Sequence, residues 1–389
     1  MTRQGVAPAA HRSGGATGAR LVITGGGTGG HVYPALALAE EARRRGLEVL
    51  YVGTRRGLEA KLVPALAAEL GFRFQTVAAA GFMGRPVWRQ LLGLGELAWG
   101  VFQALWVLRR ERASLVIGMG GYVAAPVLLA AWLSKIPSLL CEQNVRPGMA
   151  NALLGRVARA WAVAFPETAA RLPGRRAVVT GNPVRRSICE AGLARRRRGS
   201  PPRPPALLVF GGSQGARSIN RAMVEALPLL RARADGVRIT HQTGPRDQDW
   251  VAEAYGRAGV AAQVVTYIDD MASACLASSL VVCRAGATSV AELTVMGLPA
   301  ILVPYPHAAH GHQEENARGL VAHGAALMIR DAELSGARLA AAIDELLDDP
   351  PRRCRMSACS RALGKPDAAA SILELCADLL GLPPAPREG

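Results

Sequence analysis

One pattern constrains this chain more than any other, and it occurs twice. A short apolar run leads into a glycine-rich turn and then into a helical stretch, first as LVITGGGTGGHVYPALALAEE from Leu21 and again as LLVFGGSQGARSINRAM from Leu207. Strand, tight turn and helix in that order are the opening of a parallel α/β unit. Two such openings in 389 residues predict two doubly wound (Rossmann-like) domains facing across a cleft.

The remaining periodicity agrees. In the first half strands are expected at 20–24, 49–52, 115–117, 138–141 and 161–163, with helices at 32–45 and 122–133 among those between them. Residues 192–205, GLARRRRGSPPRPP, then break the pattern, and Arg195–Arg198 reads as a solvated helix end. After the break a strand is expected at 206–210 and a helix at 216–230. Further strands are expected near 237–241, 263–265, 280–283 and 300–303, and a last helix at 368–380. The resulting organisation is a disordered tail over 1–19, a first domain over 20–186, a linker over 187–205, a second domain over 206–365, and a C-terminal helix and tail over 366–389. The C-terminal helix is expected to pack back toward the first domain.

Composition narrows the setting. A formal net charge of +16 favours an anionic partner, although heavy Arg usage of this kind also follows from genomic base bias. Seven cysteines with no close CxxC pair, several of them in apolar runs, suit reduced thiols in a core. The polar, Gly-rich first twenty residues contain no apolar stretch of signal-peptide type. Around 82–108 the chain carries Trp88, Trp99, Phe102 and Trp106, interrupted by Arg89, Gln90, Glu96 and Gln103. That is too polar to span a bilayer and predicts a helix with a wide apolar face, either buried or resting on a membrane. Arg85, Arg89, Arg109, Arg110 and Arg112 flank it, which suits anionic lipid.

The glycine loops suit phosphate, because they leave backbone N–H groups open at the positive end of a helix. An NAD site also calls for an acidic residue closing the second strand, and here that strand ends Val52-Gly53-Thr54-Arg55, which disfavours NAD while Arg55 would still suit the 2′-phosphate of NADP. Neither loop ends in Lys-Ser/Thr, so neither is an ATP P-loop. Asp247-Gln248-Asp249 opens a polar helix and is read as acidic residues at a helix start. His307, His310 and His312 lack a carboxylate or Cys at matched spacing, so no metal is assigned.

In order, GGGTGGHVYPALALA, GGYVAAP, EQNVRPG, GNPVR, FGGSQGA, YIDDM and CRAGATSVAEL make the chain similar to the MurG family over roughly 20–380. These are the N-acetylglucosaminyltransferases that convert lipid I to lipid II in peptidoglycan synthesis. The resemblance implies a glycosyltransferase-B fold and inverting transfer from UDP-N-acetylglucosamine to the muramyl 4-hydroxyl of an undecaprenyl-diphosphate-linked muramyl pentapeptide. It implies no cofactor, no Asp-x-Asp-held metal and no nucleic-acid partner. It also implies peripheral attachment to an anionic membrane surface at the cytoplasmic face of the cell membrane, in the service of cell wall biogenesis, cell shape and division.

The same resemblance implies donor contacts from Thr28, Gly29, Gly30, Asn144, Arg185, Ser213, the Ile268 backbone, the run Ala287, Thr288, Ser289, Val290, Ala291 and Glu292, and Gln313. Glu292 is expected on the ribose hydroxyls and Arg185 on the departing UDP. Tyr122 is expected on the acceptor side, where Ala124-Ala125 departs from the Ser-Gly usual in the family. Two residues are candidate bases. His31 sits at a helix start, where capping or phosphate contact would be its other role, and Glu142 would otherwise be a structural carboxylate. The alternative activity is a UDP-N-acetylglucosamine epimerase of the same architecture, which would need carboxylates on both sides of the sugar.

Overall fold

A computed structural model describes residues 19–79, 87–199, 204–230, 236–308 and 311–383. The expected tail over 1–19 is outside the described residues but for its last member. So are Arg85, His310, the prolines of the spacer at 200–203 and the last six residues, as are the side chains of Trp88, Arg89 and Gln90.

The first half runs β1 (Arg20–Thr24), α1 (Gly29–Arg44), β2 (Glu48–Gly53), α2 (Leu58–Leu70), β3 (Arg73–Thr76), α3 (Val87–Arg110) and β4 (Leu115–Gly118). It continues with α4 (Ala124–Leu133), β5 (Ser138–Glu142), α5 (Met149–Leu154), β6 (Ala160–Val163), α6 (Pro166–Ala170) and β7 (Ala177–Val179). Its strands form one parallel seven-stranded sheet in the order β3-β2-β1-β4-β5-β6-β7.

Then come α7 (Arg186–Arg198), β8 (Ala206–Phe210), α8 (Arg217–Leu230), β9 (Arg238–Gln242), α9 (Gln248–Ala258), β10 (Ala262–Val265), α10 (Met271–Leu276) and β11 (Leu280–Cys283). The chain ends with α11 (Ala287–Met296), β12 (Ala300–Leu302), α12 (His312–Ala322), β13 (Ala326–Met328), α13 (Gly336–Asp348), α14 (Pro350–Leu363) and α15 (Ala368–Leu379). The second sheet is parallel, six-stranded and ordered β10-β9-β8-β11-β12-β13. Both orders reverse beside their first strand, β1 or β8, and in such sheets the ligand crevice lies outside the carboxyl ends of the strands at that switch.

Three strands escaped the sequence reading: β3, β7 and β13. Each is an edge strand of only three or four residues with partly exposed side chains; β3 (RFQT) is not an apolar run, and β7 (AVV) and β13 (ALM) are apolar runs too short to mark a strand. The expected linker also needs correction, because most of 187–205 is α7. Ile188 and Ala191 of that helix are buried with Leu208, Phe210 and Leu293 in a second-domain core. Arg195 is not solvated either. Its guanidinium donates to the carbonyls of Leu276 and Ser278, and burial pushes its pKa down to about 10.

Helix α15 returns across the molecule. Ile372, Leu373, Leu375 and Cys376 are buried with β1, β4 and α1 in the first-domain core, although they lie at the end of the chain. Replacing Ile372 by Ala should destabilise the first domain by about 2–5 kcal/mol, the usual cost of emptying such a site. A denaturant titration followed on the first-domain tryptophan Trp161 would show it, and an unchanged midpoint would mean that α15 is peripheral.

Candidate active site

The first-domain side of the cleft is built around the loop between β1 and α1. Thr28 is the N-cap of α1 but makes no side-chain cap, and its hydroxyl instead meets His31 Nδ1 at 3.0 Å. The loop is held from behind by a residue that the motif reading missed. Glu59 of α2 is fully buried, accepts from the Gly27 N–H at 3.0 Å and is bonded by the Thr54 hydroxyl. A Cβ at Gly26, Gly53 or Gly57 would come within 3 Å of the Glu59 side chain, so three glycines close round one carboxylate. A buried Glu shortly after the second strand was the available signal.

Tyr122 lies against the same loop, where a Cβ on Gly27 would stand 3.0 Å from its ring. His31 packs on Gly120, whose positive φ of 96° is glycine geometry and whose absent Cβ leaves room for the imidazole. Thr28, Gly29, Gly30, His31 and Tyr122 are therefore one cluster.

Glu142 is placed differently from the expectation of a base. It is 2% exposed, and both of its oxygens are occupied. One accepts from the Asn144 N–H at 3.0 Å and the Asn144 amide at 3.3 Å; the other accepts from the Gly148 N–H at 3.0 Å and Asn151 Nδ2 at 2.8 Å. A carboxylate so enclosed organises its turn and presents no free lone pair to a substrate. Of the two candidates, His31 is the less enclosed, being partly exposed.

The second-domain side repeats the design. Ser213 is exposed in the loop between β8 and α8, where Gly212 and Gly215 have φ of 94° and 74°. Gln242, also missed, spans the site from below. It donates to the Gly212 carbonyl and accepts from the Ile268 N–H, each at 2.9 Å. The Ile268 N–H is thereby engaged by a side chain of its own domain.

Residues 287–292 form the start of α11. Ala287 and Val290 are buried in the core, and the Thr288 hydroxyl is buried without a hydrogen-bond partner. Glu292 is nearly buried and accepts from Arg185 at 3.2 Å (Nε) and 2.8 Å (Nη2). Burial raises its pKa, and the Arg185 guanidinium opposes that rise. Arg185 also lies 5.1 Å from the centre of the Tyr33 ring, and the Tyr33 hydroxyl meets that of Tyr267 at 2.9 Å. Tyr33, two residues after His31, thus ties α1 to the second-domain site. Gln313 accepts the Tyr305 N–H at 2.9 Å, which orients its amide.

Of the helices that start at this cleft, α1, α8 and α11 have no acidic residue in their first turn, whereas α12 carries Glu314 and Glu315 there. Each of the first three contributes roughly half a positive charge without internal compensation. Asp247 is the N-cap residue of α9 and is bonded to Asn220. Among the described residues no group of three or more His, Cys, Asp and Glu is arranged to hold a metal.

Enclosure by protein and the nearby His312 lower the His31 pKa from 6.5 to about 4. His241, buried between Tyr255 and Asn220, is lowered to about 4 by burial alone. Because both folded values lie below the unfolded one, the unfolded chain binds more protons between them. Stability present in full above pH 6.5 should fall as pH drops toward 4. The imidazole Cε1–H resonances should show both rings neutral at pH 6 in the ligand-free protein, and a midpoint near 6.5 for either would contradict its enclosure.

Residues 21–163 match the glycosyltransferase family 28 N-terminal domain, and residues 206–372 the family 28 C-terminal domain. The chain is 46% identical over 363 residues to the UDP-N-acetylglucosamine–N-acetylmuramyl-(pentapeptide) pyrophosphoryl-undecaprenol N-acetylglucosamine transferase of Anaeromyxobacter dehalogenans (strain 2CP-1 / ATCC BAA-258), covering 93% of each. The enzyme of that name from Myxococcus xanthus (strain DK1622) is 42% identical, again over 93% of both chains. Among solved structures, Acinetobacter baumannii MurG superposes with a TM-score of 0.73 at 30% identity, covering 92% of this chain and 99% of that one. A UDP-N-acetylglucosamine 2-epimerase shares the fold at a TM-score of 0.67 but only 12% identity, over 95% and 98% of the two chains. The chain belongs to glycosyltransferase family 28 and, within it, to the MurG family of N-acetylglucosamine transferases.

Proposed function

We infer that the chain is a UDP-N-acetylglucosamine-dependent glycosyltransferase that transfers N-acetylglucosamine to the 4-hydroxyl of the muramyl residue of lipid I, giving lipid II in peptidoglycan synthesis. The observation that carries the site assignment is the start of α11. A buried carboxylate, Glu292, is held by Arg185 there, and a buried hydroxyl on Thr288 lacks a partner. A nucleoside diphosphate supplies what is missing: ribose hydroxyls for Glu292, and phosphate oxygens for the N–H-rich helix starts. Ser213, Thr28, Gly29 and Gly30 take the diphosphate, the Ile268 carbonyl faces the base, and Asn144 and Gln313 face the sugar. Tyr122 lies on the acceptor side. Arg185 neutralises charge developing on departing UDP.

His31 is the base. With Nδ1–H donated to the Thr28 hydroxyl, Nε2 presents its lone pair to the acceptor 4-hydroxyl. The oxygen attacks the anomeric carbon as the bond to UDP breaks on the opposite face, and the proton passes to Nε2. A pKa of about 4 makes a weak base. An anionic diphosphate beside the ring raises that value, because it favours the imidazolium. The His31 resonance should therefore titrate at higher pH with UDP bound than without, and an unmoved midpoint would remove His31 as base. In a transfer assay with a lipid I analogue, His31→Ala should lower kcat at least a hundredfold. Glu292→Ala should act chiefly through the KM for donor. Free sugar without lipid product would favour the epimerase alternative.

Helix α3 has two faces. Ala104, Val107 and Leu108 are buried against α4 in the core, whereas Trp99, Phe102 and Trp106 are each more than half exposed. Trp99 stacks on Phe102 at 5.5 Å, and Arg110 lies 4.9 Å from the Trp106 ring. No described helix is long and apolar enough to cross a membrane. We propose that this face rests on an anionic membrane surface at the cytoplasmic side, with the aromatics in the interface and the arginines on phosphate. The triple change Trp99→Ser, Phe102→Ser, Trp106→Ser should abolish sedimentation with phosphatidylglycerol vesicles. Turnover of a water-dispersed lipid I analogue should stay within about twofold. Unchanged sedimentation would place the contact elsewhere.

A further inference from the structure

Asn316 is fully buried in α12 of the second domain, and it spends most of its hydrogen-bonding capacity on the other domain. Its Oδ1 accepts from the Val145 N–H at 3.3 Å, and its Nδ2 donates to Asn144 Oδ1 at 3.3 Å. The same amide nitrogen donates at 3.2 Å to the carbonyl of Ala285, within its own domain. The preceding residue acts in parallel. Glu315 is paired with Arg146 at 2.5 Å and with Arg171 at 3.1 Å, and Arg171 also donates to the Val145 carbonyl at 2.8 Å. Two adjacent residues of α12 therefore grip the turn that follows β5, and the Thr168 hydroxyl secures that turn from beneath through the Asn144 and Val145 carbonyls.

Side-chain chemistry explains why residue 316 is a carboxamide. The position needs one acceptor, for Val145, and two donors, for Asn144 and Ala285. Only an amide of this length carries both kinds of group, since a carboxylate accepts only. Asn144 in turn donates to Glu142, so Glu142, Asn144 and Asn316 form one continuous path from the β5 turn to α12. Helix α12 begins with His312 and Gln313, one turn before Asn316. The height of Gln313 over the cleft is thus set by a bond to the very residue, Asn144, that faces the sugar from the opposite domain.

We propose that Asn316 is a positioning residue for the transfer reaction: it registers α12 against the Asn144 turn, so that the two sugar-facing amides are aligned only when the domains are closed. The proposal rests on the donor-site reading given above for Asn144 and Gln313.

The test uses the full-length protein, with UDP affinity measured by calorimetry and kcat/KM by the transfer assay. Asn316→Ala and Asn316→Asp should each lower kcat/KM at least tenfold while leaving UDP affinity within twofold, because UDP without its sugar does not need the aligned amides. Asn144→Ala combined with Asn316→Ala should lose no more than the worse single variant. Multiplying losses would show that the two amides act independently, which overturns the proposal. Parallel loss of UDP affinity, melting temperature and kcat would also overturn it, because Asn316 would then serve only the stability of its own domain. Should the Asn316 variants fail to fold, Glu315→Ala opens the adjacent grip. It should reduce kcat/KM with UDP affinity kept, and unchanged turnover would count against the proposal. Glu292→Ala separates the two ideas: if it keeps full UDP affinity, the donor-site reading fails whatever Asn316 does.

Discussion

Two parallel sheets whose carboxyl ends meet create an electrostatic problem that organises the rest of the molecule. In each sheet every crossover helix starts at the carboxyl end of a strand, so open N–H groups and positive helix ends collect on one side. Here those sides face each other, and α1, α8 and α11 arrive without acidic residues in their first turns. Those three helix starts attract negative charge. A diphosphate supplies it in the right shape, because backbone N–H groups can surround it without a side chain intervening.

Buried carboxylates hold that arrangement in place while the ligand is away. Glu59 ties the first glycine loop to the turn after β2, Glu142 closes the turn after β5, and Glu292 anchors Arg185 at α11. Such groups are costly to bury unless fully bonded, and the first two are satisfied by several donors each. Their contribution is geometric, since each converts a flexible, glycine-rich connection into one with a fixed shape. Glu292 differs from the others. Its partner is the Arg185 guanidinium, so this carboxylate is held by a charge as well as by hydrogen bonds.

The sequence announces the strands at the sheet centres and the glycine loops because both follow from local rules. Apolar runs such as 206–210 and 280–283 are buried on two faces, and a turn with positive φ at Gly212 requires glycine. Edge strands β3, β7 and β13 are too short and too exposed to stand out. The identity of α7 as a packed helix was hidden by its arginines, whose charge reads as solvent while the stem of Arg195 lies against α10. At the site, residue types marked where ligands would go but not how residues far apart in sequence would pair. Nothing near Asn144 signals Asn316, 172 positions away, and nothing near Glu292 signals Arg185, 107 positions before it. Long-range pairs between polar groups leave no periodic trace, so in the sequence Glu142 fits a base as well as it fits the brace that its four hydrogen bonds describe.

The low pKa of His31, the proposed base, follows first from its burial and second from the nearby His312. A ring enclosed at the start of α1, with His312 nearby, is held neutral because a further positive charge is disfavoured there. Neutrality is the state a base needs, but a pKa of about 4 leaves little affinity for a proton. An anionic diphosphate beside the ring would favour the imidazolium and so raise its basicity against that burial. On the proposed assignment, base strength depends on donor occupancy, and an acceptor hydroxyl arriving first would meet an imidazole with little affinity for its proton. The proposed registration through α12 acts in the same direction, because it would align the sugar-facing amides in the closed state. Charge and geometry then favour the same order, donor before activation.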